Sequence, residues 1–506
     1  MRRTLAIVSV AIAVALLPAA GAGASPSEFT FYGSGFGHGL GMSQWGAYGL
    51  AQEGWGEQQI LTHYYSSTRV DRATDAPARL RIGLVQGRGK VRLQALSGKV
   101  DLVLGDPKTG DAVATIPSDE TWTVRVSGRA YEVRDADGAA VGGPIGDATT
   151  NLYAVFEPND AMVRVPEALH TYNRGSIEFN IYDCGSGCSM RLILDIGFEE
   201  YLYGLGEVPS SWPMSAMQAQ AVAARSYALG RASYGQHRTG CNCALYATAY
   251  DQVYAGWDKE GSVDGDRWVK AVDSTAEDIV TYKGDVIQAY YMSSSGGHTE
   301  DNENVWGGTP IEYLRGVCDP GDYTTANPSA TWTVTLTAEA VTKKLDLGIG
   351  TVTGFGNVVR GISGRIMTLT VKGENGTASI SGSTLRSALG LRDDLVWINQ
   401  NRLVTGAIRA KYDALNCRPG LPTSREVPVA GGSRQTFRNA TIYSKEGPGA
   451  HALSGQVLDF YLAKGGPSGK LGFPTSDVRT MDNGHLRANF ENGVVTCDPD
   501  GGCSIS

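Results

Sequence analysis

One run limits what this chain can become more than any other. From Met214 to Ala232 the sequence is alanine-dense and holds no Gly or Pro before Gly230. Pro213 stands ahead of it. A proline at the start and a glycine near the end predict a helix with a sharp beginning and a glycine stop. Alanine faces let another backbone approach closely, so this helix is expected in a tightly packed interior. The loop entering it, Gly206-Glu207-Val208-Pro209, places one carboxylate among Leu205, Val208, Pro209 and Trp212. A lone acid in such surroundings is a candidate for a raised pKa and for general-acid work. The alternative is an ordinary surface glutamate near a helix N-terminus.

The length of 506 residues leaves room for more than one core. The net charge of -8 comes with no basic block, so nucleic acid is not an expected partner. Residues 1–24 read as an export signal: Arg2 and Arg3, an apolar core from Leu5 to Leu17, and Ala22-Gly23-Ala24 for cleavage. The mature chain is expected to begin at Ser25 and to contain no membrane span. Eight cysteines suit an oxidising compartment. Cys184 with Cys188, and Cys497 with Cys503, are close enough to close small loops. Cys241, Cys243, Cys318 and Cys417 remain, and disulfides are favoured among them. His237 with Cys241 and Cys243 offers zinc as a second option, although three ligands with a Cys-x-Cys spacing suit a tetrahedral site poorly. No cofactor is otherwise expected.

After an aromatic strand at Phe29–Tyr32 comes a glycine-rich segment, Gly33 to Ala47, carrying His38, Ser43, Gln44 and Trp45. So many glycines mark a backbone that turns tightly or approaches a ligand closely. A phosphate cradle would need a Lys and a nucleotide-type helix context that are missing; a tight structural turn with a buried His is the competing reading. Helices are expected at Ser43–Gln52, Gln58–Tyr65 and Trp268–Glu277. Residues 79–180 read as short alternating strands. Ile279–Tyr282 and Val286–Met292 form an expected hairpin that empties into Ser293-Ser294-Ser295-Gly296-Gly297-His298-Thr299-Glu300. That is the composition of a site rim, and no GxSxG elbow points to a serine nucleophile. Trp332 to Val404 reads as strand, helix, strand, strand, short helix (Ser383–Leu389) and strand.

Together these pieces resemble the SpoIID/LytB family of bacterial sporulation and cell-wall proteins. The resemblance rests on Glu199-Glu200-Tyr201-Leu202, Gly206-Glu207-Val208-Pro209, Gln218 to Ala228, Asp251-Gln252-Val253-Tyr254, Ser293 to Glu300, and His38-Gly39-Leu40-Gly41-Met42-Ser43-Gln44. It implies an α+β domain and, in the family's enzymatic members, a peptidoglycan lytic transglycosylase. Glu207 would then be the catalytic acid/base. His38, Ser43, Gln44, Arg225, Ser294, Ser295, His298 and Glu300 would line a groove for glycan strands. The alternative within the family is a non-catalytic wall-binding protein or amidase enhancer.

Two departures stand out. Val208 replaces the family's usual Met. The His-Gly-x-Gly-Met-Ser-Gln segment opens the mature chain instead of following the Ser-Gly-Gly segment, as in a circular permutation. That order requires the strand Glu28–Tyr32 to lie beside the one near Val396–Asn399. The expected division is 25–75 and 171–416 for the SpoIID-like domain, 76–170 for a β-rich scaffold or insertion, and 417–433 for a Pro/Gly-rich linker. Residues 434–506, with Leu471-Gly472-Phe473-Pro474-Thr475, resemble one LGFP module of exported wall proteins. That resemblance implies attachment to a cell-wall polymer and a secreted, wall-associated location; a purely stabilising appendage is the alternative.

Overall fold

The computed structural model describes residues 26–185 and 187–506; the expected export signal lies outside them. The fold is mixed α+β. The alanine-rich helix runs from Met214 to Ser233, and almost every side chain between Ala216 and Ala228 is buried. It does not stop at Gly230. A Cβ there would run into the amide of Gln288, so this glycine serves close packing inside the helix rather than ending it. The helices read as Ser43–Gln52, Gln58–Tyr65 and Trp268–Glu277 are found at Gln44–Gln52, Glu57–Tyr64 and Gly265–Asp273.

Residues 76–170 do not fold apart. A seven-stranded sheet takes the order 245–246, 79–88, 189–197, 176–182, 152–155, 100–104, 112–116. The strand Arg79–Arg88 lies between Leu245–Tyr246, which is parallel to it, and Ser189–Gly197, which is antiparallel. Its buried face, Leu80, Ile82 and Leu84, joins the same core as the alanine-rich helix. Of the two readings of this segment, scaffold or insertion, the sheet fits the scaffold, because its apolar side chains share one core with the alanine-rich helix.

A second core forms around the strand Glu28–Gly33, which pairs antiparallel with Trp332–Thr337 and with Val396–Ile398. Phe31 faces Ile398 and Tyr32 faces Trp397, so the adjacency required by a permuted order is present. The region from Trp332 contains one strand more than the sequence pattern indicates. Gly376–Ser381 completes a three-stranded sheet with Val352–Arg360 and Ile366–Gly373.

The tail holds two copies of one unit, where the sequence pattern showed one. In the second, the helix Gly455–Ala463 precedes Leu471-Gly472-Phe473-Pro474-Thr475-Ser476 and a four-stranded sheet. In the first, the helix Gly406–Ala414 precedes Pro419-Gly420-Leu421-Pro422-Thr423-Ser424 and another four-stranded sheet. The hydrogen bonds match. Thr423 N donates to Thr436 O and Thr475 N to Asn489 O, both at 2.8 Å. Arg438 N donates to Leu421 O and Glu491 N to Phe473 O, both at 2.9 Å. Tyr412 stacks on Phe437 with centroids 5.2 Å apart, and Tyr461 on Phe490 at 4.8 Å. Residues 417–433 are thus not a linker but the turn and first strand of the first copy.

That first copy is fastened to the body of the protein. Cys417 is disulfide-bonded to Cys318. Arg409, itself buried, lays its guanidinium 3.6 Å from the centroid of the Tyr323 ring. The remaining disulfides are Cys184–Cys188, Cys241–Cys243 and Cys497–Cys503. No helix among the described residues is long and apolar enough to cross a membrane.

Candidate active site in an aromatic cleft

Glu207 sits at the loop before the alanine-rich helix, half-buried at a cleft of about 560 Å³. Its Oε1 accepts the Val253 backbone N–H at 2.6 Å, and its Oε2 accepts the Gln44 amide at 3.3 Å. Gln44 also donates to Gln220 Oε1 on the alanine-rich helix at 3.3 Å. The loop is held from behind by Lys259, whose ammonium donates to the Val208 carbonyl at 2.5 Å. Burial lowers the Lys259 pKa to about 8. Burial raises the Glu207 pKa, against the opposing pull of the Val253 N–H, the Gln44 amide and the Tyr291 hydroxyl. A carboxyl so placed holds its proton to a higher pH than a surface glutamate and is suited to giving it away.

The walls are aromatic. Tyr227, Tyr290 and Tyr291 line the cleft, and Phe36, Tyr250 and Trp306 stand exposed at its edges. Faces of this kind take the C–H surfaces of sugars. The His38 ring lies 5.2 Å from that of Trp306. Its Nδ1 accepts the Leu40 N–H at 3.0 Å, which leaves the proton of the neutral ring on Nε2. Burial, then Arg365 and Arg386, push its pKa down to about 4, so it is a neutral hydrogen-bonding group at ordinary pH. Arg231 and Arg386 bring positive charge to the same cleft.

A second acid, Asp251, lines the cleft but is fully committed. It pairs with Arg238 at 2.7 Å and Arg231 at 3.6 Å, and accepts from Tyr227 OH and Tyr246 N. Its side chain has no exposed surface. Glu207 is therefore the carboxyl here that retains freedom to exchange a proton with a ligand.

Of the residues expected to line a groove, His38 and Gln44 join Glu207 at the cleft, and the others do not. Ser43 caps the helix after it, and its Oγ donates to Asp322 at 2.8 Å. Ser294 Oγ donates to Asp322 at 2.8 Å, and Ser295 Oγ to Asp319 at 2.6 Å. Glu300 is buried and accepts from Ile362 N, Ser363 N and Asn304. His298 is directed to the side facing Cys318 and Cys417. Arg225 is fully buried in a bidentate pair with Glu199, 2.8 Å at its closest. Ser43, Ser294, Ser295 and Glu300 thus brace the glycine-rich turns, and Arg225 ties the alanine-rich helix to Glu199. The short strand Met42–Ser43 runs parallel to Tyr291–Met292, so the two turns meet beside Glu207. Both are anchored on Asp319 and Asp322, buried acids that the sequence did not single out. Asp322 alone accepts from Ser43, Ser294, Ser295 N and Gly296 N. Their signal was an acid three residues from another, beside a cysteine, in a stretch without periodicity.

The zinc option fails on chemistry. Cys241 and Cys243 are bonded to each other, so neither offers a thiolate, and His237 Nδ1 is engaged with Asn242 at 2.7 Å.

Parts of the chain are similar to known proteins. Residues 186–282, which include Glu207 and the alanine-rich helix, match the Stage II sporulation protein (SpoIID) family model. Residues 420–469 match the LGFP repeat. The amidase enhancer of Bacillus subtilis is 34% identical over 142 residues, 28% of this chain and 17% of that protein. Stage II sporulation protein D of the same organism is 27% identical over 227 residues, 42% of this chain and 64% of that protein. An uncharacterized protein of Brachyspira hyodysenteriae is 37% identical over 132 residues, 26% of this chain and 34% of that protein. The chain spans less than two thirds of each of these relatives. Residues 186–282 are thus similar to the SpoIID family's domain, and residues 420–469 to an LGFP repeat.

Proposed function

We propose that this protein cleaves the glycan strands of peptidoglycan without water, with Glu207 as the single acid/base. The observation that carries the reading is the cleft's one carboxyl free of a salt bridge among the described residues, with its raised pKa, between aromatic walls. Protonated Glu207 gives its proton to the glycosidic oxygen as the bond from the MurNAc C1 breaks. The resulting carboxylate then takes the proton of the MurNAc C6 hydroxyl as that oxygen closes on C1. The product is a 1,6-anhydro sugar, the carboxyl ends as it began, and no second acid is required. A hydrolase of the usual kind would need one. Arg231 and Arg386 suit the carboxylates of muramyl and peptide substituents. The cell-wall-related role is supported by SpoIID relatives, an amidase enhancer among them. On this reading the protein is exported, its LGFP units hold a wall polymer, and its N-terminal segment is a permuted part of the domain.

The identity with an amidase enhancer favours a second reading, a protein that holds glycan without cutting it. Mass spectrometry of glycan strands, intact and peptide-stripped, separates the two. Anhydro-muramyl products are expected from the wild type, reduced roughly 10²–10⁴-fold in Glu207→Gln. Reducing-end products would refute the anhydro mechanism. Binding without products would establish the second reading.

A further inference from the structure

A second cleft, of about 530 Å³, opens where the region before the first LGFP unit meets that unit. It shares no lining residue with the Glu207 cleft. Three arginines line it, Arg360 and Arg402 from one side and Arg438 from the other, and no carboxylate does. In a chain of net charge -8 that grouping runs against the overall balance. Among the described residues none of the three forms a salt bridge. Arg360 donates to the carbonyls of Gly364 and Val396 and lies 5.0 Å over the Trp397 ring. Arg402 donates to Gln400 at 2.7 Å. Arg438 is exposed with no side-chain partner among the described residues. Burial, then the charge of Arg402, push the Arg360 pKa down to about 10, and the acid that opposes them, Asp394, is shared with Arg365. Such a site gains most from an anion that several guanidiniums can grip at once. Trp397 and Phe355 add apolar surface to the lining, beside Asn399, Gln400 and Thr423.

We propose that this cleft binds an acidic polyol or saccharide, its carbon skeleton against Trp397 and Phe355 and its anionic groups on Arg360, Arg402 and Arg438. The shared chemistry is a polyol chain bearing carboxylates or phosphodiesters. The inference does not use Glu207 and stands apart from glycan cleavage.

Calorimetric titration of the full-length protein tests it, with trigalacturonate, a glycerol-phosphate oligomer, neutral cellotriose and an oligoglutamate as probes. Binding of either acidic polyol, weakening with salt, is expected, and the one bound more tightly names the anion. The Arg402→Gln/Arg438→Gln protein, altered only at the cleft's rim, is expected to bind at least about tenfold more weakly. Glu207→Gln is expected to bind as the wild type does. No binding, equal binding of cellotriose, tighter binding of oligoglutamate, or an undiminished affinity in the double variant with an unchanged melting temperature would each overturn the proposal.

Discussion

Replacing Asp319 by Asn should change how the protein's stability depends on pH. Asp319 is fully buried; its carboxylate accepts from Tyr64 OH at 2.8 Å and Ser295 Oγ at 2.6 Å. Burial and the neighbouring Asp322 raise its pKa to about 7, while Ser295, Tyr64 and Arg409 act against them. A carboxyl whose folded pKa exceeds its unfolded value binds its proton more tightly when folded. Its contribution to stability is complete below the unfolded pKa, about 3.9, and is lost as pH rises through about 7. A gap of roughly three units corresponds to a swing on the order of 4 kcal/mol. Asn keeps the shape and cannot ionise, and the Tyr64 and Ser295 hydroxyls can rotate to accept from its amide. At roughly 2 °C per kcal/mol for a large domain, the Tm of wild type relative to Asp319→Asn should fall by several degrees between about pH 4 and pH 8. Calorimetric melting of both proteins across that range measures it. His63, whose pKa burial lowers, titrates in both and cancels. Parallel Tm profiles, or a relative Tm that rises with pH, would refute the argument.

Three further substitutions separate packing from function. Tyr461→Phe removes a hydroxyl that donates to Gly472 O at 2.6 Å, and should cost about 1–2 kcal/mol in denaturant melts. Tyr412→Phe, at the equivalent place in the first unit, has no such bond among the described residues and should cost less. Arg225→Lys loses the bidentate grip of a fully buried guanidinium on the half-exposed Glu199 carboxylate, so it should lower Tm by several degrees while leaving any glycan affinity in a binding titration unchanged.

The elements best foreseen from sequence are those where periodicity and capping agree. The alanine-rich helix, the helix capped by Ser43 and the glycine-rich turns all announce themselves locally. What local pattern does not contain is direction. Ser43, Ser294, Ser295 and Glu300 look like groups offered to a ligand because they are polar and lie among glycines. They turn inward because Asp319, Asp322 and the Ile362–Ser363 backbone, distant in the chain, need partners in a dry interior. Glu207 stands out in the sequence through its apolar neighbours Val208 and Trp212, whereas the groups that hold its carboxyl, Val253, Gln44 and Tyr291, lie far from it along the chain. The doubled tail escaped notice because only the second unit keeps the Leu-Gly-Phe-Pro wording; the first keeps the hydrogen bonds with Pro-Gly-Leu-Pro.

The bond between Cys318 and Cys417 joins a residue beside the buried acids to the turn of the first LGFP unit. A tail on a flexible linker would let the cleft sweep a sphere of wall around its point of attachment. Here the first unit is stapled and stacked in place, and Lys411 ties it to Asp477 of the second at 3.0 Å. Whatever the tail holds is therefore presented at a set distance and angle from Glu207. If the tail holds a wall polymer and the cleft cuts glycan as proposed, the molecule would act as a gauge, with the disulfide and the Arg409–Tyr323 stacking fixing the spacing between the two.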